Sequence, residues 1–293
     1  MPSLAEYLNK PEYVFRPSQV MRRLGRAFRR SSGEPVVLLP WGLPLRIRTS
    51  DDIGRALWTT GVYDLAVSEV LWRLLEPGET AADAGANIGY VTSLMAARNG
   101  SAGAVRAYEP HPAVFAELAA NHALWMRSAI ATVELREAGL SDRARAARLV
   151  EGAAFAKNRG MARVGDDAEQ GLAVRLTTLD QEFPPGARIG VLKIDVEGHE
   201  AAVLGGAGRL LAARAIRDVV YEEHTPGAGA ATAVLRSRGY TVFGITKALL
   251  GPALGEPGSG GSAWTPASCL ATLEPERARA RLAPRGWECL RGH

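Results

Sequence analysis

The sequence predicts an α/β fold on a mostly parallel, doubly wound sheet that follows a helical and hairpin extension. Three observations predict this class. From residue 80 onward, short apolar runs alternate with helical patterns, which is typical of parallel strands joined by helices. A glycine-rich turn separates the first strand from its helix. Acidic residues end several strands, where open α/β sheets bind ligands. We therefore expect an extension over residues 1–75 and a main domain over residues 76–293.

The extension is interpreted from helical spacing, from two apolar runs around a Trp-Gly turn, and from helix start and stop signals. In chain order its predicted elements are an amphipathic helix over residues 18–30, a hairpin over 36–48, a helix capped by Ser50 or Asp51, and a helix over 66–75 that stops at Pro77-Gly78.

The main domain shows the strand and helix alternation more clearly. The predicted strands are residues 80–83, 104–109, 132–137, 174–176, 189–194, 216–221, 240–245 and 267–273. The predicted helices are residues 91–97, 112–126, 200–211 and 230–237. Two segments lack a regular pattern. Residues 143–173 form a polar insert that is either a wall of the substrate site or a surface excursion, and residues 251–261 read as a loop.

Composition limits the classes of function. Of 293 residues, 47% are hydrophobic and 23% charged, as in ordinary globular proteins. The net charge is +4, but seven basic and two acidic residues fall within residues 1–30, so the main domain has no basic excess for nucleic acid. No apolar run approaches the ~20 residues of a membrane helix, and residues 1–10 do not resemble a secretory signal. Cys269 and Cys289 fit no metal or redox spacing, so we expect a cytoplasmic protein.

The glycine-rich turn is the strongest chemical signal. Asp83 ends the first strand, and Gly85, Asn87 and Gly89 follow before the helix. Glycines at these positions allow a sharp turn and a close approach of the backbone to a ligand. A carboxylate before the first glycine would repel a pyrophosphate, unlike the usual dinucleotide turn. It suits a positively charged ligand without phosphate, such as S-adenosylmethionine (SAM).

Further polar residues end the neighbouring strands. Glu109 ends the second strand, about 20 residues past the turn, where an acid accepts hydrogen bonds from ribose hydroxyls. The residues predicted to meet at this edge of the sheet are Asp83, Glu109, Ser141, Asp142, Asp195, Glu222 and His224. Their convergence predicts a single nucleoside-binding site.

The chain resembles the FkbM family of SAM-dependent methyltransferases. The matching motifs are Leu39-Pro40-Trp41-Gly42-Leu43-Pro44-Leu45, Asp83-Ala84-Gly85-Ala86-Asn87-Ile88-Gly89, Tyr108-Glu109-Pro110, Gly139-Leu140-Ser141-Asp142, Thr178-Leu179-Asp180, Leu192-Lys193-Ile194-Asp195-Val196-Glu197-Gly198-His199-Glu200 and Glu222-Glu223-His224. The resemblance covers roughly residues 36–245. It implies a class I, Rossmann-like methyltransferase sheet of about seven strands with the last antiparallel, SAM as cofactor, and methylation of a hydroxyl on a natural product or sugar.

Within that resemblance, the cofactor-binding residues receive specific roles. Gly85, Asn87 and Gly89 shape the turn, and Asp83 lies near the charged end of SAM. Glu109 holds the ribose. Ser141 and Asp142 lie near the adenine, where Asp142 accepts from the amino group; otherwise the pair caps a helix.

The catalytic residues are assigned from the need to align the reactants and remove a proton from the acceptor hydroxyl. Asp195 is the first candidate near the methyl group, as base, metal ligand or anchor of the methionine amine. Lys193 pairs with an acid. His224 is the candidate histidine for the base, with Glu222 as its orienter or as a ligand of a divalent metal such as Mg²⁺. His199 reads as an exposed turn residue.

Three other classes stay open. A nicotinamide-dependent oxidoreductase is disfavoured by the acid before the first glycine and by the glycine spacing. An RNA methyltransferase is disfavoured by the near-neutral main domain without interleaved aromatic and basic residues. A SAM-binding scaffold without catalysis is disfavoured by polar strand ends beyond those that the cofactor needs.

Overall fold

A computed structural model describes residues 11–15, 34–151, 163–165, 171–223, 229–257 and 267–291. The helices are α1 (Pro11–Val14), α2 (Asp52–Thr60), α3 (Leu65–Leu74), α4 (Tyr90–Asn99), α5 (Pro112–Trp125), α6 (Leu179–Glu182), α7 (Glu200–Gly205), α8 (Gly208–Ala212), α9 (Ala230–Ser237) and α10 (Pro275–Leu282), with a 3₁₀ turn at Glu288–Leu290. The helix predicted over residues 18–30, most of the polar insert and His224 lie outside the described residues.

The strands form three sheets. They are β1 (Val36–Leu38), β2 (Pro44–Arg46), β3 (Thr80–Ala84), β4 (Ala104–Tyr108), β5 (Thr132–Arg136), β6 (Gly139–Leu140), β7 (Arg145–Val150), β8 (Arg163–Gly165), β9 (Leu172–Thr177), β10 (Ile189–Ile194), β11 (Ile216–Glu223), β12 (Thr241–Ala248), β13 (Gly251–Gly255) and β14 (Ala267–Thr272). The antiparallel pair β1-β2 confirms the predicted hairpin.

The main sheet has eight strands in the order β13-β12-β14-β11-β10-β3-β4-β5. The pairs from β11 to β5 are parallel, and β14 lies antiparallel between β11 and β12. This arrangement confirms the predicted doubly wound, mostly parallel sheet with an antiparallel last strand. The strand order reverses direction between β3 and β10, and open sheets of this kind bind ligands at such a point.

Two segments without a regular pattern contain strands. The prediction of a loop over residues 251–261 was wrong for its first part, because β13 pairs antiparallel with β12 and adds an eighth strand at the edge. Gly251 and Gly255 are the ends of this strand and Pro252 lies within it. Glycine and proline are uncommon in strands, so the sequence pattern does not predict a strand here. In and beside the polar insert, β7 and β9 pair with each other in a four-stranded sheet with β6 and β8. Alternate residues of these strands, such as Leu149 and Leu176, form its small apolar cluster.

The helix predicted over residues 200–211 is divided into α7 and α8. At the break, a Cβ on Gly206 would lie 2.0 Å from the carbonyl oxygen of Ser141. The carbonyl of Gly206 accepts a hydrogen bond from the amide of Asp180 at 2.9 Å. The helix is therefore interrupted where its backbone packs directly on the loop that carries Ser141.

Apolar clusters cover both faces of the main sheet. One combines the hairpin, α2 and α3 with strand residues such as Val105 and Val191. The other packs α7, α8 and α9 against residues such as Leu192 and Ile194. Because the first cluster extends across residue 75, the extension packs directly on the main sheet, and the boundary there stays a prediction. None of the helices in the described ranges is both long and apolar enough to cross a membrane.

A buried ion pair fastens the C-terminal segment to α3. Arg73 Nε lies 2.5 Å from Glu69 Oε1, and both side chains are buried. The guanidinium also donates to the carbonyl oxygens of Pro284 and Gly286, at 2.6 and 2.9 Å. The carboxylate accepts from the amides of Glu288 and Cys289 in the same segment. Its remaining polar atoms are thus satisfied by backbone, as a buried pair requires.

The first prediction concerns this pair. Arg73→Met should lower the free energy of unfolding by on the order of 3 to 5 kcal/mol, because it leaves a buried carboxylate without its cation. Arg55→Met is the matched control, since Arg55 pairs with Asp52 at the surface of α2, and it should cost less than about 0.5 kcal/mol. Urea denaturation measures both values. Equal losses would show that the buried pair does not fasten the C-terminal segment.

Candidate functional site

Three charged side chains meet at the carboxyl ends of β3 and β10. In the parallel register Lys193 lies directly opposite Asp83. Its ammonium is 3.4 Å from Asp83 Oδ1 and 3.3 Å from Asp195 Oδ2, and it donates to the carbonyl of Gly85 at 2.9 Å. Lys193 therefore joins the strand-end acid, the glycine turn and the acid that follows β10.

The ammonium of Lys193 opposes the effect of burial on a deeply buried acid. Asp83 is fully buried, and burial raises its pKa, against the opposing effects of Lys193 and of the Thr92 hydroxyl. Thr92 Oγ1 donates to Asp83 Oδ2 at 2.6 Å. Burial alone would lower the pKa of Lys193, but the two carboxylates raise it above its ordinary value. Asp195 is the accessible member, with 36% of its side chain exposed.

The glycine turn is built for close backbone contacts. Gly85 has φ of +78°, and a Cβ there would lie 2.0 Å from the carbonyl oxygen of Asp195. Gly89 has φ of +94°, and a Cβ there would lie 2.7 Å from the side chain of Leu118. Asn87 has a positive φ of 50°, and its side-chain oxygen accepts from the amide of Ile88 at 2.7 Å. All three predicted turn residues thus occupy the sharp turn between β3 and α4.

Glu109 follows β4 and points back at the same turn. Its Oε2 accepts from the amide of Asn87, and its Oε1 accepts from the amide of His111, both at 2.9 Å. Burial raises the pKa of Glu109 to about 7, although the two amides favour its charged form. Each carboxylate oxygen has a second lone pair, so the fixed carboxylate can accept further hydrogen bonds.

Glu222 lies beside Asp195 on the neighbouring strand. Ile194 and Tyr221 are partners in the β10-β11 register, so the residues that follow them are neighbours. Burial, followed by the charges of Asp195 and Glu197, raises the pKa of Glu222 to about 9. Its carboxyl group is therefore neutral at pH 7 and is able to donate a hydrogen bond.

Tyr63 is a candidate site residue that the sequence analysis did not name. Its amide donates to Tyr90 Oη at 3.1 Å, and the two rings meet edge to face with centroids 6.3 Å apart. Burial and the charges of Asp195, Asp64 and Glu222 raise the pKa of the Tyr63 hydroxyl. Asp64 caps α3 by accepting from the amide of Val67 at 3.1 Å. The signal in the sequence is Asp64, a residue type that caps helices, directly after Tyr63. The cap fixes the position of Tyr63 at the start of α3.

Ser141 and Asp142 lie on the loop after β6. The Ser141 hydroxyl is buried and donates to Asp142 Oδ1 at 3.0 Å. It also lies 2.9 Å from Nε2 of His199, in the turn that follows Asp195. Asp142 itself is exposed. His199, expected to be an exposed turn residue, is instead half-buried and hydrogen-bonded to this loop.

Metal binding finds little support in the described part of the chain. No three His, Cys, Asp or Glu side chains lie close enough there to hold a metal ion. Between Asp83 and Asp195, the ammonium of Lys193 fills the position that a cation would take. His224, the proposed partner of Glu222, lies outside the described residues.

The solved structures to which this chain is similar include several methyltransferases. A SAM-dependent O-methyltransferase of Thermotoga maritima is 15% identical, with 72% of this chain and 65% of that chain covered and a TM-score of 0.41. A putative rRNA methylase of Clostridium thermocellum is 9% identical, with 70% and 92% covered and a TM-score of 0.41. Fibrillarin of Aeropyrum pernix with bound SAM is 12% identical, with 84% and 85% covered and a TM-score of 0.39. No protein of curated function matches the sequence.

A match to a family model shows to which family the chain belongs. The Methyltransferase FkbM domain matches residues 83–242, which is more than half of the chain. The match begins at Asp83, contains the glycine turn, Glu109, Lys193, Asp195 and Glu222, and runs into β12. The chain belongs to the FkbM family of SAM-dependent methyltransferases.

Proposed function

We propose that the protein transfers a methyl group from SAM to a hydroxyl of a small molecule, such as a natural product or a sugar. The observation that carries the proposal is the position of Asp195. It is the accessible carboxylate at the switch point of the sheet, held by Lys193 beside the glycine turn. There it can meet both a cofactor on the turn and an acceptor entering from solvent.

The chemistry of the donor set fits SAM. Glu109 presents a fixed carboxylate with free lone pairs, which suits the two hydroxyls of a ribose. Asp83 and Asp195 make this part of the sheet edge negative, which suits a sulfonium and an amine and disfavours a pyrophosphate. Asp142 is exposed and offers an acceptor for the amino group of adenine. When bound, SAM supplies a methyl group that is already activated by its positive sulfur.

The chain supplies alignment and proton transfer. An alcohol is a poor nucleophile until its proton leaves, so a base must lie beside the acceptor oxygen. We assign this task to a carboxylate oxygen of Asp195, which Lys193 holds in place at 3.3 Å. Glu222, neutral at pH 7, can donate a hydrogen bond to the acceptor beside it. His224 is the second candidate for the base.

The comparisons do not identify the acceptor, and two alternatives need a test. The family match disfavours a nicotinamide-dependent oxidoreductase. For RNA methylation, the described residues carry no basic stripe at the site, since Lys193 is buried and paired with two acids. Incubation with methyl-labelled SAM and separate panels of sugars, hydroxylated macrocycles and RNA distinguishes these classes. O-methylated small molecules support the proposal, whereas label in RNA alone contradicts it.

A cytoplasmic location stays a prediction.

The second prediction concerns pH and cofactor binding. In the free protein Glu109 has a pKa of about 7. Ribose hydroxyls that donate to its carboxylate favour the charged form, so binding should lower this pKa and release protons. Affinity for S-adenosylhomocysteine should rise with pH up to about pH 7 and then level off. Between pH 7.5 and pH 6 the dissociation constant should grow roughly tenfold.

Calorimetric titration in buffers of different ionisation enthalpy measures both the affinity and the released protons. Glu109→Gln is the control, because its amide cannot titrate. It should bind more weakly and show a nearly flat profile over this pH range. A wild-type profile as flat as that of the control would remove Glu109 from the cofactor site.

The third prediction separates catalysis from binding. Asp195→Asn should keep affinity for S-adenosylhomocysteine within about tenfold but lose most turnover, on the order of a hundredfold or more, since the base is lost. Glu200→Gln is a matched control, because Glu200 lies close in sequence but accepts from the Gly198 amide in the turn, so turnover should change little. Parallel losses of binding and turnover in Asp195→Asn would make Asp195 a cofactor-binding residue instead.

A further inference from the structure

His199 links the turn after β10 to the loop after β6. Its Nε2 lies 2.9 Å from the Ser141 hydroxyl, which is fully buried. The same hydroxyl donates to Asp142 Oδ1 at 3.0 Å. No step of the methyl transfer proposed above uses His199. His199 is nevertheless connected, through the Ser141 hydroxyl, to the Asp142 carboxylate of the proposed cofactor site.

The direction of these hydrogen bonds follows from counting protons. A serine hydroxyl carries one proton and can accept through its lone pairs. Because Ser141 gives its proton to Asp142, it must accept from His199. This arrangement requires an imidazole that carries its proton on Nε2, a proton that the positively charged ring also has. If Nε2 were an acceptor, the hydroxyl would turn toward the ring and Asp142 would lose its donor.

Asp142 depends on this hydroxyl for its orientation. The side chain is exposed, so packing leaves its carboxylate free to turn. The Ser141 hydroxyl is the first of the contacts that lower the pKa of Asp142. The loop itself is held by α7 and the break after it, because Gly205 and Gly206 allow the backbones to come close.

We propose that His199 is a positioning residue which, through the Ser141 hydroxyl, aims the Asp142 carboxylate at the 6-amino group of the cofactor's adenine. The proposal rests on the cofactor placement under Proposed function. It also predicts that His199 contributes to the preference for a purine with a 6-amino group over one with a 6-oxo group. A fixed carboxylate accepts from an amino group at this position of the purine, but it repels an oxo group.

The fourth prediction compares two ligands that differ at this position and in the proton that the oxo form carries on the adjacent N1. S-adenosylhomocysteine carries the 6-amino group, and S-inosylhomocysteine carries an oxygen. Wild-type protein should bind the adenosine ligand at least roughly tenfold more tightly. In His199→Ala, affinity for the adenosine ligand should fall about five- to tenfold, while affinity for the inosine ligand changes less than about twofold. Calorimetric titration gives all four constants.

Three further variants sharpen the test. His199→Gln retains an N–H donor and should recover most of the preference for the adenosine ligand. Ser141→Ala should lose the preference, and adding His199→Ala to it should cost nothing more, because the two residues act through one path. His122→Ala is the matched control, since His122 is a half-buried histidine on α5 whose ring meets Trp125, and it should leave the preference unchanged.

The outcomes separate this inference from the proposed function. Equal losses for both ligands in His199→Ala and His199→Gln, or an unchanged preference in both, overturn the positioning role while the cofactor site stands. Wild-type protein that binds neither ligand overturns the proposed cofactor site, and the positioning role with it. Thermal melting of each variant shows whether a general loss of binding comes from unfolding.

Discussion

The bridge from Lys193 to Asp83 and Asp195 is the interaction on which the rest of the site depends. A fully buried carboxylate costs several kcal/mol unless a cation and hydrogen bonds compensate for it. Asp83 obtains both, from the ammonium and from Thr92. The bridge forms only because β3 and β10 are adjacent and in the register that places Lys193 opposite Asp83. The same ammonium holds the Gly85 carbonyl, so sheet register, turn shape and the position of Asp195 are set together.

Hydrogen-bond acceptors surround the turn. This pattern distinguishes the site from sites that bind the phosphates of a nucleotide. Glu109 lies on one side and accepts hydrogen bonds from the amides of Asn87 and His111. Asp195 and Glu222 form the other side, where one group is paired with a cation and the other is neutral at pH 7. A phosphate would find few donors there, whereas a ribose, an amine and an alcohol would find acceptors.

The sequence predicts local features well, because their signals are local. Asp51, one of the two residues expected to cap α2, accepts a hydrogen bond from the amide of Gly54 at 2.6 Å. The acids at the strand ends follow from apolar runs that stop at a polar residue. Contacts between distant segments have no such signal. Lys193 is predicted to pair with an acid, but its bridge between two acids needs the strand register. The helix break at Gly206 and the bond from His199 to Ser141 need the packing of α7 on a loop about 60 residues earlier in the chain.

A crystal structure of the complex with S-adenosylhomocysteine tests the arrangement most directly. The ribose hydroxyls should lie within hydrogen-bond distance of the Glu109 carboxylate, and the sulfur should face Asp195. Lys193 should remain between Asp83 and Asp195. A ligand bound elsewhere, or one whose amine displaces Lys193 from the two carboxylates, would contradict the central role of this bridge.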